Sequence, residues 1–250
     1  MHALKLHLFC TSAAEGLVNR LRPRFEAQGD EHLDARFGPI DGLRRQLLAG
    51  ERCDVLVATP ASIATLTEAG ELLIDGQSSL GLLQLCIAAR EGDPAPAIGS
   101  AAELRSALLG AGELHFADPV RDLGGSHFAV LLQMLHLAEE LAPRCRPQPD
   151  GSAALRALAG STAPRALGCA LLSEIRQTDG VVEVGPLPPE FALTTSLAAA
   201  VTVRSDDPAL ADRFIALLCG AAGGEAREAA GFVPAQRLGE PLFHLAGAAR

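Results

Sequence analysis

The chain has no tryptophan and no tyrosine, only two methionines, and nine phenylalanines among its 250 residues. It also lacks any block of Lys and Arg interleaved with aromatics, and 21 basic against 30 acidic residues give a formal net charge of −9. The basic, stacking surface of a nucleic-acid binder is therefore missing, and nucleic acid is set aside as a partner. No apolar run approaches the roughly 18 to 20 residues needed to cross a bilayer. The six cysteines, Cys10, Cys53, Cys86, Cys145, Cys169 and Cys219, form no CxxC pair and no Cys/His spacing for zinc. Most lie in apolar segments and read as small buried hydrophobes, with pairing between any two left open. His2, His7, His32, His115, His136 and His244 are scattered without ligand spacing. There is no G-x-S-x-G, no Walker loop, no HExxH and no GxGxxG after a strand, so no metal or cofactor is expected. Met1 leads straight into `LKLHLFC` with no basic n-region and no cleavage site. Together with the dispersed cysteines this favours a reducing cytoplasm, unless a leader has been removed.

What is present is a large core-forming content, 48% hydrophobic against 20% charged, enough for one big domain or two lobes of about 100 to 130 residues. Over the first 70 residues strands and helices alternate: strand 4–10, helix 14–28, strand 32–37, helix 41–49, strand 54–58, helix 60–69. Leu17, Val18, Leu21 and Phe25 recur at helical spacing, and the alternation implies βαβ units with a mainly parallel sheet covered on both faces. The run `SLGLLQLCIAAR` (79–90) is too long and too apolar for an edge strand and suits one passing from one lobe into another. A second α/β block follows: helix 101–109, strand 113–117, helices 126–141 and 152–159, strands 166–171 and 181–184. A second apolar run (195–204) then leads into helix 208–219 and a last helix near 224–230. Two long apolar strands thus bracket the middle block. The expected architecture is two-lobed α/β, residues 1–82 with 200–250 in one lobe and 83–199 in the other, joined by two crossing hinge strands.

Open parallel sheets bind ligands beyond the carboxyl ends of their strands, so the loops there carry the function. They are `CTSAAEG` (10–16), `FGPIDG` (37–42), `DPVRDLGGS` (118–126), `PDGSAAL` (149–155) and `LLSE` (171–174). In `DLGGS` two readings stand side by side. Ser126 caps a helix after a positive-φ glycine turn, or Gly124, Gly125 and Ser126 leave their amides open to an anion. Asp41, Asp118, Asp122, His127 and Glu174 are the titratable groups nearest this mouth, expected to be solvated loop residues rather than bases. Arg44 and Arg45 are expected to lie along a helix surface.

The order of these loops resembles the type II periplasmic solute-binding proteins, in the branch of the molybdate-binding proteins. The likeness rests on `LHLFCTSA`, `RFGPIDGLRRQLLAGERCDVLVATPASIATLTEAGEL`, `ELHFADPVRDLGGSHFAVLLQML`, `RALGCALLSEI` and `DDPALADRFIALLCGAAGGEAREAAGF`. It implies a type II periplasmic-binding-protein fold that closes on a small anion between its lobes, with no covalent chemistry. The implied contacts are Thr11, Ser12 and Ala13, the turn Ile40, Asp41 and Gly42, Gly124 to Ser126, Gly151 and Leu171. A molybdate binder would place serines at Ala13 and Ile40 and a tyrosine at Leu171, so this pocket has fewer hydroxyls. `TSAA`, Gly38–Pro39 and `LLSEI…GVVEVGPLPPEF..TTSLAAAV` are similar to the aconitate-isomerase subgroup and to binders of small carboxylates. The resemblance therefore implies a molybdate- or tungstate-like oxyanion or a carboxylate as ligand, an ABC-transporter permease as partner, a monomer, and a periplasmic site, or else an isomerase of an unsaturated carboxylic acid.

Overall fold

The computed structural model describes residues 4–27, 29–74 and 77–233. His2, His244, residue 28 at the expected end of the first helix, and the 234–250 part of the expected first lobe lie outside the described residues.

The chain enters as β1 (Leu4–Thr11), a 3₁₀ turn (Ser12–Ala14), α1 (Glu15–Glu26), β2 (Glu31–Gly38), α2 (Ile40–Leu48), β3 (Val55–Ala58) and α3 (Pro60–Glu68). It continues through β4 (Ser78–Arg90), α4 (Ala101–Gly110), β5 (Leu114–Ala117), α5 (Leu123–Met134) and α6 (Ala138–Leu141). β6 (Cys145–Gln148), α7 (Gly151–Ala159), β7 (Leu167–Leu171), α8 (Leu172–Gln177) and β8 (Val181–Pro186) complete the middle block. β9 (Thr194–Val201), α9 (Pro208–Cys219) and α10 (Gly224–Ala229) follow. The strand order is β2-β1-β3-β9-β4-β7-β5-β6, with β8 also paired to β4.

Parallel pairing joins β1 to β2 and β3, and β5 to β6 and β7. Antiparallel pairing joins β3 to β9 and β4 to β7, β8 and β9. β4 is the crossing strand: residues 78–84 pair with β9, whereas Leu85–Ala89 pair with β7. Each face of the sheet carries its own core. Leu6, Leu8 and Cys10 of β1 pack with Phe25 and Phe214, while Phe9 turns the other way onto Leu43, Leu56 and Ile63. Leu85, Ile87 and Ala89 of β4 pack with Leu104, Phe116 and Phe128, and Cys86 and Ala88 face Leu155 and Leu158. That two-sided burial is why these strands read as unbroken apolar runs. All six cysteines are free thiols, and burial pushes Cys53 and Cys86 up to about 12, which leaves them inert.

Three local expectations are corrected. Helix 126–141 is two helices, because His136 takes φ 55 and ends the first in a Schellman turn. There the Leu137 N–H donates to the Leu132 carbonyl at 2.8 Å, and both leucines are buried. Strand β6 was hidden by Pro147, which an edge position tolerates. Helix α8 was hidden by its length of six residues.

Asp54, 3% exposed, fastens β3 to its surroundings. One carboxylate oxygen accepts from the His7 amide at 2.8 Å; the other accepts from the Ser205 hydroxyl at 2.9 Å and the Asp206 amide at 3.3 Å. Asp54→Ala leaves these part-buried donors without their acceptor and is expected to cost about 1 to 3 kcal/mol. In urea unfolding the midpoint falls with the slope unchanged; an unaltered midpoint would contradict this role.

Candidate functional site

In each half the first strand is central, β1 between β2 and β3, and β5 between β6 and β7. The crevice of such a sheet opens beyond the carboxyl end of the central strand, where the crossovers diverge. In the first half that point holds Thr11, Ser12 and Ala13. Thr11 pairs with Gly38, which sets the Ile40–Asp41–Gly42 turn at the start of α2 beside it. In the second half the same point holds residues 118–126, with Gly151 opening α7 after β6 and Leu171 preceding α8 after β7. The 3₁₀ turn packs against α7 and α8, so loops from the two halves meet. A sixth segment, passed over in the sequence, is Thr59 ahead of α3, the first-half counterpart of Leu171. Its hydroxyl oxygen accepts from the Ser62 amide at 3.3 Å.

The helix at `DLGGS` starts earlier than expected. Asp122, not Ser126, is its N-cap: its carboxylate accepts from the Gly125 amide at 2.9 Å, and the Ser126 amide donates to the Asp122 carbonyl at 2.8 Å. Gly124 and Gly125 are not among the positive-φ glycines. Gly125 is needed for a different reason, since a Cβ there would lie 2.3 Å from the Ala117 carbonyl oxygen. Glycine lets the first turn of α5 press onto the end of β5.

Two acids expected to be solvated are drawn in. Burial raises Asp122, against the amides of Gly125 and Gly124, with Asp150 and Asp118 adding repulsion. Glu174 is 6% exposed, and burial, then the nearby Asp122, push it up to about 8. One of its oxygens accepts from the Leu171 amide at 3.1 Å, and the Ser152 amide also bonds the carboxyl. A Cβ on Gly151 would lie 2.2 Å from that same oxygen, so Gly151 is glycine to make room for Glu174. Asp150 caps α7 through the Ala153 amide at 2.7 Å. The amides of Gly124 and Gly125 in α5 and of Ser152 and Ala153 in α7 are thus bonded by the protein's own carboxyl groups.

Gln177, which the sequence reading also missed, ties the halves together. Its side-chain amide donates to the Ser12 carbonyl at 2.9 Å and to the Ser152 hydroxyl at 3.2 Å, and accepts from the Gly16 amide at 2.5 Å. Of the other expected groups, Asp118 caps its own turn through the amides of Val120 and Arg121. His127 bonds the Phe191 carbonyl at 2.7 Å, and Asp41, Arg44 and Arg45 are exposed. What stays uncommitted is a set of hydroxyls. The Thr11 oxygen is buried without a partner, and among the described residues Ser12 and Ser126 donate no side-chain hydrogen bond either. The adjoining walls are apolar: Ala13 is 7% exposed, Ile40 packs on the first-half core, and Leu171 touches the cores of both halves. Among the described residues no cluster of His, Cys, Asp and Glu is placed to hold a metal ion, and no helix is long and apolar enough to cross a membrane.

The profile of the bacterial extracellular solute-binding proteins matches residues 6–233. The chain belongs to that family. Solved structures agree on the type II periplasmic-binding-protein fold. A periplasmic molybdate-binding protein from Azotobacter vinelandii superposes with a TM-score of 0.75 at 19% identity, covering 91% of this chain and 98% of that one. A sulfate-binding protein from Mycobacterium tuberculosis gives 0.72 at 15% identity, covering 94% and 88%. A relative from a Pseudomonas species, named aconitate isomerase, is 24% identical over 231 residues, 88% of this chain and 85% of that one. In this solute-binding protein the fold is that of its solved relatives.

Glu174 keeps its proton to about pH 8 in the fold but only to about 4.5 when unfolded. The folded state therefore binds the extra proton in that window, and the stability this contributes is full below pH 4.5 and lost as pH rises through 8. Chemical denaturation from pH 4 to 9 is expected to show a decline in that window that is shallower in Glu174→Gln; equal slopes would contradict the assignment. Gly151→Ala is expected to lose about 2 kcal/mol or more by overpacking against Glu174 in the same assay.

Proposed function

We propose that the protein binds a small carboxylate anion with a hydrocarbon body between its lobes. The observation that carries this reading is the Thr11 hydroxyl, buried at the carboxyl end of β1 with no partner in the protein. A buried hydroxyl without a bond costs about 1 to 3 kcal/mol, which a ligand oxygen recovers on binding. Ser12 and Ser126 stand ready as further donors, and the Ala13, Ile40 and Leu171 surfaces match carbon better than a bare oxyanion. A tetrahedral oxyanion such as molybdate needs nearly all its oxygens satisfied, and here Asp122 and Glu174 already occupy many of the amides that would serve it. Hinge movement about β4 would open and close the site, and a transporter permease is the partner that membership in the family favours.

A second reading has its own support. The relative named aconitate isomerase, and a carboxyl at Glu174 titrating near 8 beside the site, favour an isomerase of unsaturated tricarboxylic acids such as aconitate, with that carboxyl exchanging the migrating proton.

Thermal-shift and calorimetric screening of molybdate, tungstate, sulfate and di- and tricarboxylates is expected to pick out a carboxylate. Thr11→Val is expected to weaken it about 10- to 100-fold, or roughly 1.5 to 3 kcal/mol, without lowering the stability of the ligand-free protein. Unchanged affinity in Thr11→Val, or tighter binding of molybdate, would sink the carboxylate reading. Incubation of the hit followed by proton NMR separates the two readings: a shifted double bond identifies the isomerase, an unchanged ligand the binder.

A further inference from the structure

Gln177 also lines a groove of about 380 Å³ between α1 and α8. One wall is Gly16, Asn19 and Arg20 of α1, the other Ser173, Arg176 and Gln177 of α8. Both sets are spaced i, i+3, i+4, so each is one helical face, one from the first half and one from the second. The floor carries a second orphan. Ser173 is 3% exposed, and its hydroxyl oxygen is buried without a hydrogen-bond partner. Arg20 and Arg176 share the lining with it. Arg176 is held by the Glu228 carbonyl at 3.0 Å and reaches Glu183 only at 3.5 Å, which fixes its stem and leaves donors over. Arg20 is exposed and, among the described residues, makes no ion pair or hydrogen bond. Within a chain of net charge −9, the groove is thus lined by two arginines, the Asn19 amide and Ser173, with Arg176 also paired to Glu183.

We infer that this groove is a second anion site, separate from the cleft, and that it takes a phosphate group through Arg20, Arg176 and the Ser173 hydroxyl. Planar guanidinium forks suit phosphate oxygens, which accept paired N–H bonds, and a hydroxyl on the floor supplies a third contact that a point cation would not. Because its walls belong to different halves, an anion seated there bridges α1 and α8 beside the Gln177 tie. The site therefore favours the arrangement in which those helices adjoin, and phosphate is expected to act on cleft binding through that equilibrium.

The test is calorimetry of the full chain with inorganic phosphate, and with glycerol phosphate to compare a free anion with a phosphomonoester. Wild-type protein is expected to bind at one site, Arg20→Ala to lose at least tenfold in affinity, Arg20→Lys to recover part of it, and Thr11→Val to be unchanged. Ser173→Ala carries the sharper signature: removing an orphan hydroxyl is expected to raise the melting temperature of the unliganded protein while weakening phosphate. Absence of phosphate binding to the wild type overturns the proposal, as does binding that survives Arg20→Ala, or binding that Thr11→Val abolishes, which would put the phosphate in the cleft. Arg20 is an exposed side chain, so its variants fold whatever becomes of Ser173→Ala, and neither result bears on the carboxylate reading of the cleft.

Discussion

One strand belongs to both halves of the molecule, and the rest of the structure depends on it. β4 spends residues 78–84 on β9 and Leu85–Ala89 on β7, so its backbone hydrogen bonds hold the two halves in register. Breaking the strand would expose ladder groups on both sides. The cores it serves are separate, with Leu80 and Leu83 in one and Leu85 and Ile87 in the other. Besides that continuous backbone, the halves touch through Leu171, which packs on both cores, and through Gln177, which bonds Ser12 and Gly16.

The two halves also use the same wiring. Each has a central first strand with its second and third strands on either side, and each third strand, β3 or β7, pairs antiparallel with a long strand, β9 or β4. Thr11–Ala13 thus corresponds to residues 118–126, the start of α2 to Gly151, and Thr59 to Leu171. Where the first half caps α3 with the Thr59 hydroxyl, the second has no hydroxyl at Leu171 and reaches back with Glu174 instead. Glu174 is buried there, its proton affinity is raised, and Gly151 leaves it room. Asp122, Asp150 and Glu174 thus take up amides of Gly125, Ala153 and Leu171.

Much of the frame was legible in the sequence because periodicity reports burial. `SLGLLQLCIAAR` has no polar face, and it is a strand with neither face in water. Some failures were local, at His136, at Pro147 and in the short α8; at Glu174 and Gln177 the deciding contact is remote in sequence. At `DLGGS` both Asp122 and Ser126 are residues that cap helices, and the structure uses Asp122, with Gly125 pressed against Ala117. Nothing near Glu174 says that it is buried, because Gly151 and Ser152 make its pocket. Gln177 reads as an ordinary polar helix residue until Ser12 and Gly16, more than 160 positions away in sequence, are set beside it. The cysteines and the solvated roles of Asp41 and Asp118 were legible because they rest on composition and local turn chemistry.

The most direct test of the central claim is a crystal structure of the protein grown with its best-binding carboxylate. Ligand density is expected between the Ser12–Ala14 turn and the starts of α5 and α7, with a carboxylate oxygen within hydrogen-bonding distance, about 3 Å, of the Thr11 hydroxyl. Density on an outer face, with the Thr11 hydroxyl still unpartnered or turned to a protein acceptor, would contradict it.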